Sequence, residues 1–259
     1  MQKVIHYCWF GRNPLPEISK KCIDSWKKYL PEYEIKEWNE DNFNVNIIPY
    51  TAEAYKAKKY AFVSDYARFW ILYNFGGLYF DTDVELIRPI DDIIEKGPFM
   101  GCELSPKGDC LYPSIAPGLG LGANPGLGLG ANPGLGLYKK ILESYNNRHL
   151  YSINGVIGDT VVQIITRMLK KSNPDADMSV VTNIQGVICY PWDYFCPLIA
   201  STGEMHISDN TRSIHHYTAT WARDNQIPRW KRALLRLKYI CIRFYGQFIW
   251  SIFYKLPKL

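Results

Sequence analysis

None of the seven cysteines, at 8, 22, 102, 110, 189, 196 and 241, forms a Cys-x-x-Cys pair or a zinc-ligand spacing. An odd, scattered set of this kind excludes a disulfide scaffold or a zinc finger and reads as reduced thiols in a cytosolic protein. No run of about 20 apolar residues is present, which excludes a polytopic membrane protein. The opening residues, Met1-Gln-Lys-Val-Ile-His-Tyr-Cys-Trp-Phe-Gly11, lack the cationic start and long apolar run of a secretory leader and read instead as a first strand. Acidic residues are missing after Asp224, where Arg229, Lys231, Arg232, Arg236, Lys238, Arg243, Lys255 and Lys258 supply eight positive charges. Because the chain as a whole carries only +5, the residues before this tail carry −3. A mildly acidic body with a basic tail excludes a general nucleic-acid binder and points to a local anionic partner for the tail.

Aromatic residues are abundant, at 15% of the 259 residues, with 19 Tyr and 8 Trp. Such usage suits stacking on flat ligands or an interface, and equally an aromatic core. With 47% apolar and 21% charged residues, the composition is that of one large globular domain or a domain with an appendage.

The pattern along the chain is that of an α/β protein. Residues 3 to 10 read as a strand, 17 to 30 as a helix, and Tyr33-Glu-Ile-Lys-Glu-Trp38 alternates as a second strand, an opening that predicts a parallel sheet of the nucleotide-binding kind. Residues 52 to 75 read as one helix closed by Gly76-Gly77, followed by a short buried strand, Leu78-Tyr79-Phe80. A further helix is predicted over 159 to 171, a polar turn at Asn173 to Asp177, short strands over 180 to 198, and a last strand at Ser213 to Tyr217. The octapeptide Pro-Gly-Leu-Gly-Leu-Gly-Ala-Asn occurs at 117 to 124 and again at 125 to 132, with a partial third copy at 133 to 137. Eight residues are too few for a solenoid unit, so the segment 117–137 reads as a flexible glycine-rich loop lengthened by duplication, either a lid or a neutral insertion.

Chemistry is signalled first by Asp81-x-Asp83 at the end of the apolar strand. Two carboxylates at this spacing on extended chain can face the same way, and hard oxygen ligands suit Mg²⁺ or Mn²⁺. A second such triplet, Asp175 and Asp177, lies in the polar turn with no strand before it and reads as solvated surface, so the context carries the inference. That context includes Asp65 and Arg68, three apart on one helix face among Phe62, Phe69, Trp70, Leu72 and Tyr73. An acid and a base so surrounded are buried at least in part, and recognition of hydroxyls by Asp65 and phosphates by Arg68 would account for them.

The stretch Phe62-Val-Ser-Asp-Tyr-Ala-Arg-Phe-Trp-Ile-Leu-Tyr-Asn-Phe-Gly-Gly-Leu-Tyr-Phe-Asp-Thr-Asp83 resembles the signature of family 32 glycosyltransferases, with their sugar-binding Asp-x-Asp region. Lys3 to Gly11 and Ile214-His-His-Tyr-Thr-Ala-Thr-Trp221 extend the resemblance over most of residues 1 to 221. It implies a GT-A type fold over residues 1–224, a nucleotide-diphospho-sugar donor (a UDP-sugar in preference to a GDP-sugar), Mn²⁺ or Mg²⁺, and transfer with retention. By the same resemblance Trp9 would stack on the base, and Asp65 and Arg68 would hold the donor. Asp81 would meet ribose or metal, and Asp83 would ligate the metal. His215 or His216 would complete the metal shell, since neighbours on a strand face opposite sides, with His215 favoured. Thr220 and Trp221 would reach the β-phosphate.

Breaking the bond between anomeric carbon and phosphate places negative charge on the departing diphosphate, which metal on Asp83 and the Arg68 cation would stabilise. No protein nucleophile is evident. Asp159, in Gly158-Asp159-Thr160, is the candidate carboxylate base, at a position where family members carry Gly-Pro. From Trp230 to Tyr254 an amphipathic pattern gathers Leu234, Leu237, Cys241, Phe248 and Ile252 opposite Arg232, Arg236 and Arg243. Residues 225–259 are thus expected to form a helix lying on anionic lipid, or one docked on the domain. The overall expectation is a glycosyltransferase of bacterial surface polysaccharide synthesis, cytoplasmic and peripheral at the inner face of the cytoplasmic membrane, with a saccharide or lipid-linked acceptor. A nucleotide-sugar hydrolase or binder without an acceptor is the alternative, and a lipid-binding scaffold the third reading.

Overall fold

In the computed structural model, which describes residues 1–107, 110–119, 121–123, 135–151, 157–200 and 202–218, the expected strand–helix–strand opening is present. β1 (Val4–Cys8) leads through α1 (Glu17–Tyr29) to β2 (Glu34–Trp38), which pairs parallel to β1. α1 carries Glu17 in its first turn and Lys27 and Lys28 in its last, matching the helix dipole at both ends. It buries Ser19, Cys22, Ile23 and Trp26, the spacing of a single helical face.

The helix expected over 52 to 75 is two helices. α2 (Pro49–Lys56) starts earlier, with proline at its first turn, and α3 (Tyr60–Phe75) follows a break at Ala57 to Lys59. Lys58 sits at φ 56°, a left-handed conformation that stops α2 and lets the chain turn. α3 is apolar on nearly every side and is correspondingly enclosed. At its end Gly76 (φ 68°) donates its N–H to Leu72 O at 3.0 Å, and Gly77 (φ 86°) begins β3 (Gly77–Tyr79). A Cβ at Gly77 would lie 2.6 Å from Val4 O, so the glycine pair answers both to backbone conformation and to close approach of β1.

β4 (Val84–Leu86) and the short α4 (Asp91–Ile94) follow, then β5 (Phe99–Lys107), β6 (Cys110–Ile115) and β7 (Leu121–Ala123). The remaining elements are α5 (Leu135–Glu143), α6 (Val161–Ser172), β8 (Thr182–Ile184), β9 (Val187–Tyr190), α7 (Trp192–Phe195) and β10 (Ser213–His215). The main sheet runs β2-β1-β3-β7-β5-β9-β8, with β6 on β5, and β10 pairs with β4 in a separate ribbon. Pairing is parallel around β1 and between β5 and β9, and antiparallel around β7, so the sheet is mixed. Ile5 and Tyr7 of β1 join the cluster around α1, and Cys8 joins the one formed by α2, α3, α5 and α6. Helices therefore cover both faces, the α/β layering expected of a GT-A domain. β7 lies inside the first octapeptide copy, which corrects the reading of 117–137 as loop throughout: residues 121–123 are a sheet strand, where glycine allows two neighbouring backbones to approach. Among the described residues no helix is long and apolar enough to cross a membrane. The tail 225–259 lies outside the described residues.

His6 ties this architecture together. Its Nε2 lies 3.0 Å from Gly76 O, and its Nδ1 accepts from Trp38 Nε1 at 3.0 Å. This fixes a neutral ring with the proton on Nε2. Burial pushes the imidazole down to about 4. Since the folded value lies below the ordinary one near 6.5, the contribution to stability is complete above that pH and is lost as pH falls toward 4. Urea unfolding at pH 7 and pH 4.5 is expected to show a larger drop in midpoint for the native chain than for His6→Gln; equal drops would exclude His6 as the cause.

Candidate active site

The C-terminal ends of β1 and β3, one face of α3, and the start of α6 enclose a cavity of about 490 Å³, within the range of small-ligand sites. Glu103 of β5 and His215 of β10 complete its wall. Arg68 lies at its base, 4% exposed. Its guanidinium donates to Asp65 Oδ1 at 3.1 Å, reaches Asp81 through both terminal nitrogens at 3.2 and 3.3 Å, and donates from Nε to Ser64 O at 3.1 Å. Tyr79 adds a hydrogen bond to Asp81 Oδ1 at 3.0 Å. Burial pushes the Asp65 carboxyl up to about 7 against the opposing pull of Arg68. Burial disfavours the Arg68 cation too, but Asp81 and its other anionic neighbours outweigh this and hold it charged.

Asp83 faces the other way. Its Oδ1 lies 3.2 Å from His215 Nε2, and its Oδ2 accepts from Thr218 N and Oγ1, both at 2.9 Å. Burial alone would raise this carboxyl, yet His215 and the two Thr218 bonds hold it below the usual carboxylate range. Conversely, Asp83 overcomes the burial of His215 and raises its imidazole well above the usual value. The juxtaposition follows from β10 running antiparallel to β4, with His215 opposite Val84.

Of the sequence candidates, Trp9, Asp65, Arg68, Asp81, Asp83 and His215 line this one cavity. Trp9 anchors its indole N–H on Asn13 O at 2.6 Å. His216 does not: its Nε2 lies 2.8 Å from Glu85, on the opposite side of the strand. Asp159 also lies apart, paired with Arg167 at 2.7 Å. That bond, stronger here than the small cost of burial, lowers its pKa. Thr220 and Trp221 fall outside the described residues. Asp177 of the second triplet is spent on Ser179, accepting from its N and Oγ at 2.8 and 2.6 Å.

Sequence reasoning missed Glu103 and Gly118. A lone glutamate in a strand carries no local signal. Gly118 belongs to the first octapeptide, where nothing singles it out from its copies. Its carbonyl accepts from Asp81 N at 2.9 Å, and a Cβ there would overlap Asp81 Oδ2 and lie 2.9 Å from an Arg68 nitrogen. The carboxylates Asp65, Asp81, Asp83 and Glu103 outnumber Lys58, Arg68 and His215 around the cavity. Asp83 and His215, 3.2 Å apart, offer a hard carboxylate oxygen and an imidazole of the kind that a divalent cation such as Mg²⁺ or Mn²⁺ takes, whereas both oxygens of Asp81 are turned toward Arg68 and Tyr79.

Residues 16–100 match the family model described as glycosyltransferase sugar-binding region containing DXD motif. Two curated relatives come from Schizosaccharomyces pombe (strain 972 / ATCC 24843). Inositol phosphoceramide mannosyltransferase 1 is 26% identical over 117 residues, covering 41% of this chain and 35% of the relative. Inositol phosphoceramide mannosyltransferase 3 is 32% identical over 114 residues, covering 41% and 30%. The chain thus spans about a third of the length of the curated relatives it matches. Among solved structures, it is similar to the PaToxG glycosyltransferase (TM-score 0.46, 20% identity, 66% of this chain and 70% of that one). It is also similar to a glycosyltransferase involved in glycosylation of the major capsid of PBCV-1 (TM-score 0.48, 12% identity, 85% and 97%). The resemblance read from residues 62 to 83 is borne out by this match, in which residues 16–100 are similar to a glycosyltransferase sugar-binding region.

Because Gly118 leaves no room for a methyl group beside Asp81, Gly118→Ala is expected to cost about 1–3 kcal/mol by overpacking. Chemical denaturation checks this, and the cost should shrink in an Asp81→Ala background, where the crowded carboxylate is gone. An undiminished cost would mean that the strain lies elsewhere.

Proposed function

We propose that this protein is a metal-dependent, retaining glycosyltransferase that moves a sugar from a nucleotide-diphospho-sugar to a saccharide or lipid-linked saccharide in bacterial surface polysaccharide synthesis. The observation that carries this reading is the convergence of Trp9, Arg68, Asp81, Asp83 and His215 on one cavity. A cavity in which carboxylates outnumber cations repels a nucleoside diphosphate unless positive charge is added, which supports a requirement for a divalent cation. Asp83, Asp81 and His215 would hold that ion, and it would supply Lewis-acid stabilisation of the departing diphosphate.

The protein's own side chains do the remaining work. Arg68, immobilised by three acceptor groups, presents a fixed positive charge toward the developing diphosphate and needs no reorganisation as the bond breaks. Asp65 and Asp81 keep that guanidinium in place. The indole of Trp9, just past the end of β1, offers a flat face for the base. Glu103, which lines the cavity beside His215, would be the carboxylate that orients an acceptor hydroxyl.

The named lipid of the curated relatives, inositol phosphoceramide, supports an acceptor carried on lipid. The basic tail supports a peripheral position on the inner face of the cytoplasmic membrane. Purified protein with Mn²⁺, screened against UDP- and GDP-sugars with and without saccharide acceptors, tests the reading. Transfer is expected to cease on chelation, return with Mn²⁺, and fall ~10²–10³-fold in Asp83→Asn. Full transfer by that variant would overturn the metal assignment, and donor cleavage that no acceptor diverts would favour a hydrolase.

A further inference from the structure

Behind His215, on the wall of the cavity, three different metal-ligating groups from three parts of the chain come together. The Glu103 carboxylate on β5, the Cys196 thiol just after α7, and a ring nitrogen of His215 on β10 all lie within 4.8 Å of one another. The Tyr217 hydroxyl donates to Glu103 Oε2 at 3.0 Å and lies 3.0 Å from Cys196 Sγ, so it links two of them. His215 Nε2 is engaged with Asp83, whereas Nδ1 is buried and makes no hydrogen bond. An imidazole whose one nitrogen is held by a carboxylate while the other lacks a partner matches the usual outer support of a metal-bound histidine.

We propose that Glu103, Cys196 and His215 Nδ1 form a second cation site, selective for a soft or borderline ion such as Zn²⁺ and distinct from the oxygen-rich set at Asp81 and Asp83. A thiolate ligand discriminates against Mg²⁺ and Mn²⁺. Ligand distances of about 2.0–2.3 Å around a tetrahedral ion set donor atoms ~3.5 Å apart, so groups within 4.8 Å of one another need to close by no more than ~1 Å. On loading, the ion replaces the proton of the Cys196 thiol and any proton on Nδ1, which pass to solvent. Zinc on Nδ1 leaves Nε2 as an N–H donor to Asp83, so the same ring has no second lone pair for an ion held by Asp83. Zinc would therefore antagonise Mn²⁺-supported transfer, a consequence that rests on the proposed function; the site itself does not.

The metal-free protein titrated with Co²⁺, as a spectroscopic substitute for Zn²⁺, tests the site without an activity assay. The expected result is a thiolate-to-cobalt charge-transfer band with tetrahedral visible bands, saturating at one ion per chain. Zn²⁺ should abolish it and Mg²⁺ should not. Cys196→Ser should remove the band, while Glu103→Gln should retain it with ~10-fold weaker affinity or worse, which covers the case in which the serine variant does not fold. Asp83→Asn should keep the band but weaken binding ~10–100-fold through loss of outer support. Cobalt binding without a charge-transfer band, or a band that survives in folded Cys196→Ser, overturns the proposal. In the transfer assay, zinc inhibition undiminished in Cys196→Ser would overturn the antagonism while leaving the site intact.

Discussion

A single buried cation organises this molecule. Arg68 is almost wholly enclosed, and an unpaired guanidinium there would be costly enough to unfold the region. It is tolerated because Ser64 O, Asp65 and Asp81 take up its donors, and those groups belong to two elements, α3 and the end of β3. The short Gly76-Gly77 connection brings helix and strand into that relation, and His6 clamps the connection to β1 from the other side. Buried ion pairs seldom outperform apolar packing of the same volume as stabilisers. Their retention in an otherwise aromatic and aliphatic cluster is better explained by the charge that they hold at the cavity floor.

The two aspartates of the triplet, for all their proximity in sequence, belong to different electrostatic environments. Asp81 is held by a cation that never loses its proton, and by Tyr79. Asp83 is held by an imidazole and by Thr218, groups that can exchange one partner for another. The first is therefore largely committed to Arg68, and the second would be the principal ligand of a cation under the proposed function. This division is what β10 adds to the fold: without its pairing to β4, Asp83 would have no counter-charge beside it.

Much of this was legible in the sequence. The β-α-β opening, the glycine-terminated helix and the buried Asp65–Arg68 pair each follow from spacing and context within a few residues, where local physics decides. The break at Ala57 to Lys59 was not legible, because Lys58 adopts a left-handed conformation that its residue type does not announce. Nor was the strand at Leu121 to Ala123, since glycine spacing that reads as loop becomes a ladder once β3 and β5 supply partners from either side. Asp159 drew attention beside a helix start, yet Arg167, one helical face further on, already neutralises it. Glu103 emerged only when β5 was brought against β10, a contact between residues more than a hundred positions apart.

Charge around the cavity also constrains the order of events under the proposed function. Four carboxylates face Lys58, Arg68 and His215, and two of those cations are positioned next to aspartates. An anionic donor approaching the cavity meets a field that opposes it, and the Arg68 charge is largely compensated by its own partners. A cation held by Asp83 would offset the local negative charge and supply the positive field that a diphosphate needs. Arg68 then acts at shorter range, on a diphosphate already drawn in, where a rigid donor array contributes more than net charge does. Binding of cation before donor is thus the sequence that the arrangement of charges favours, and it assigns attraction to Asp83 and positioning to Arg68.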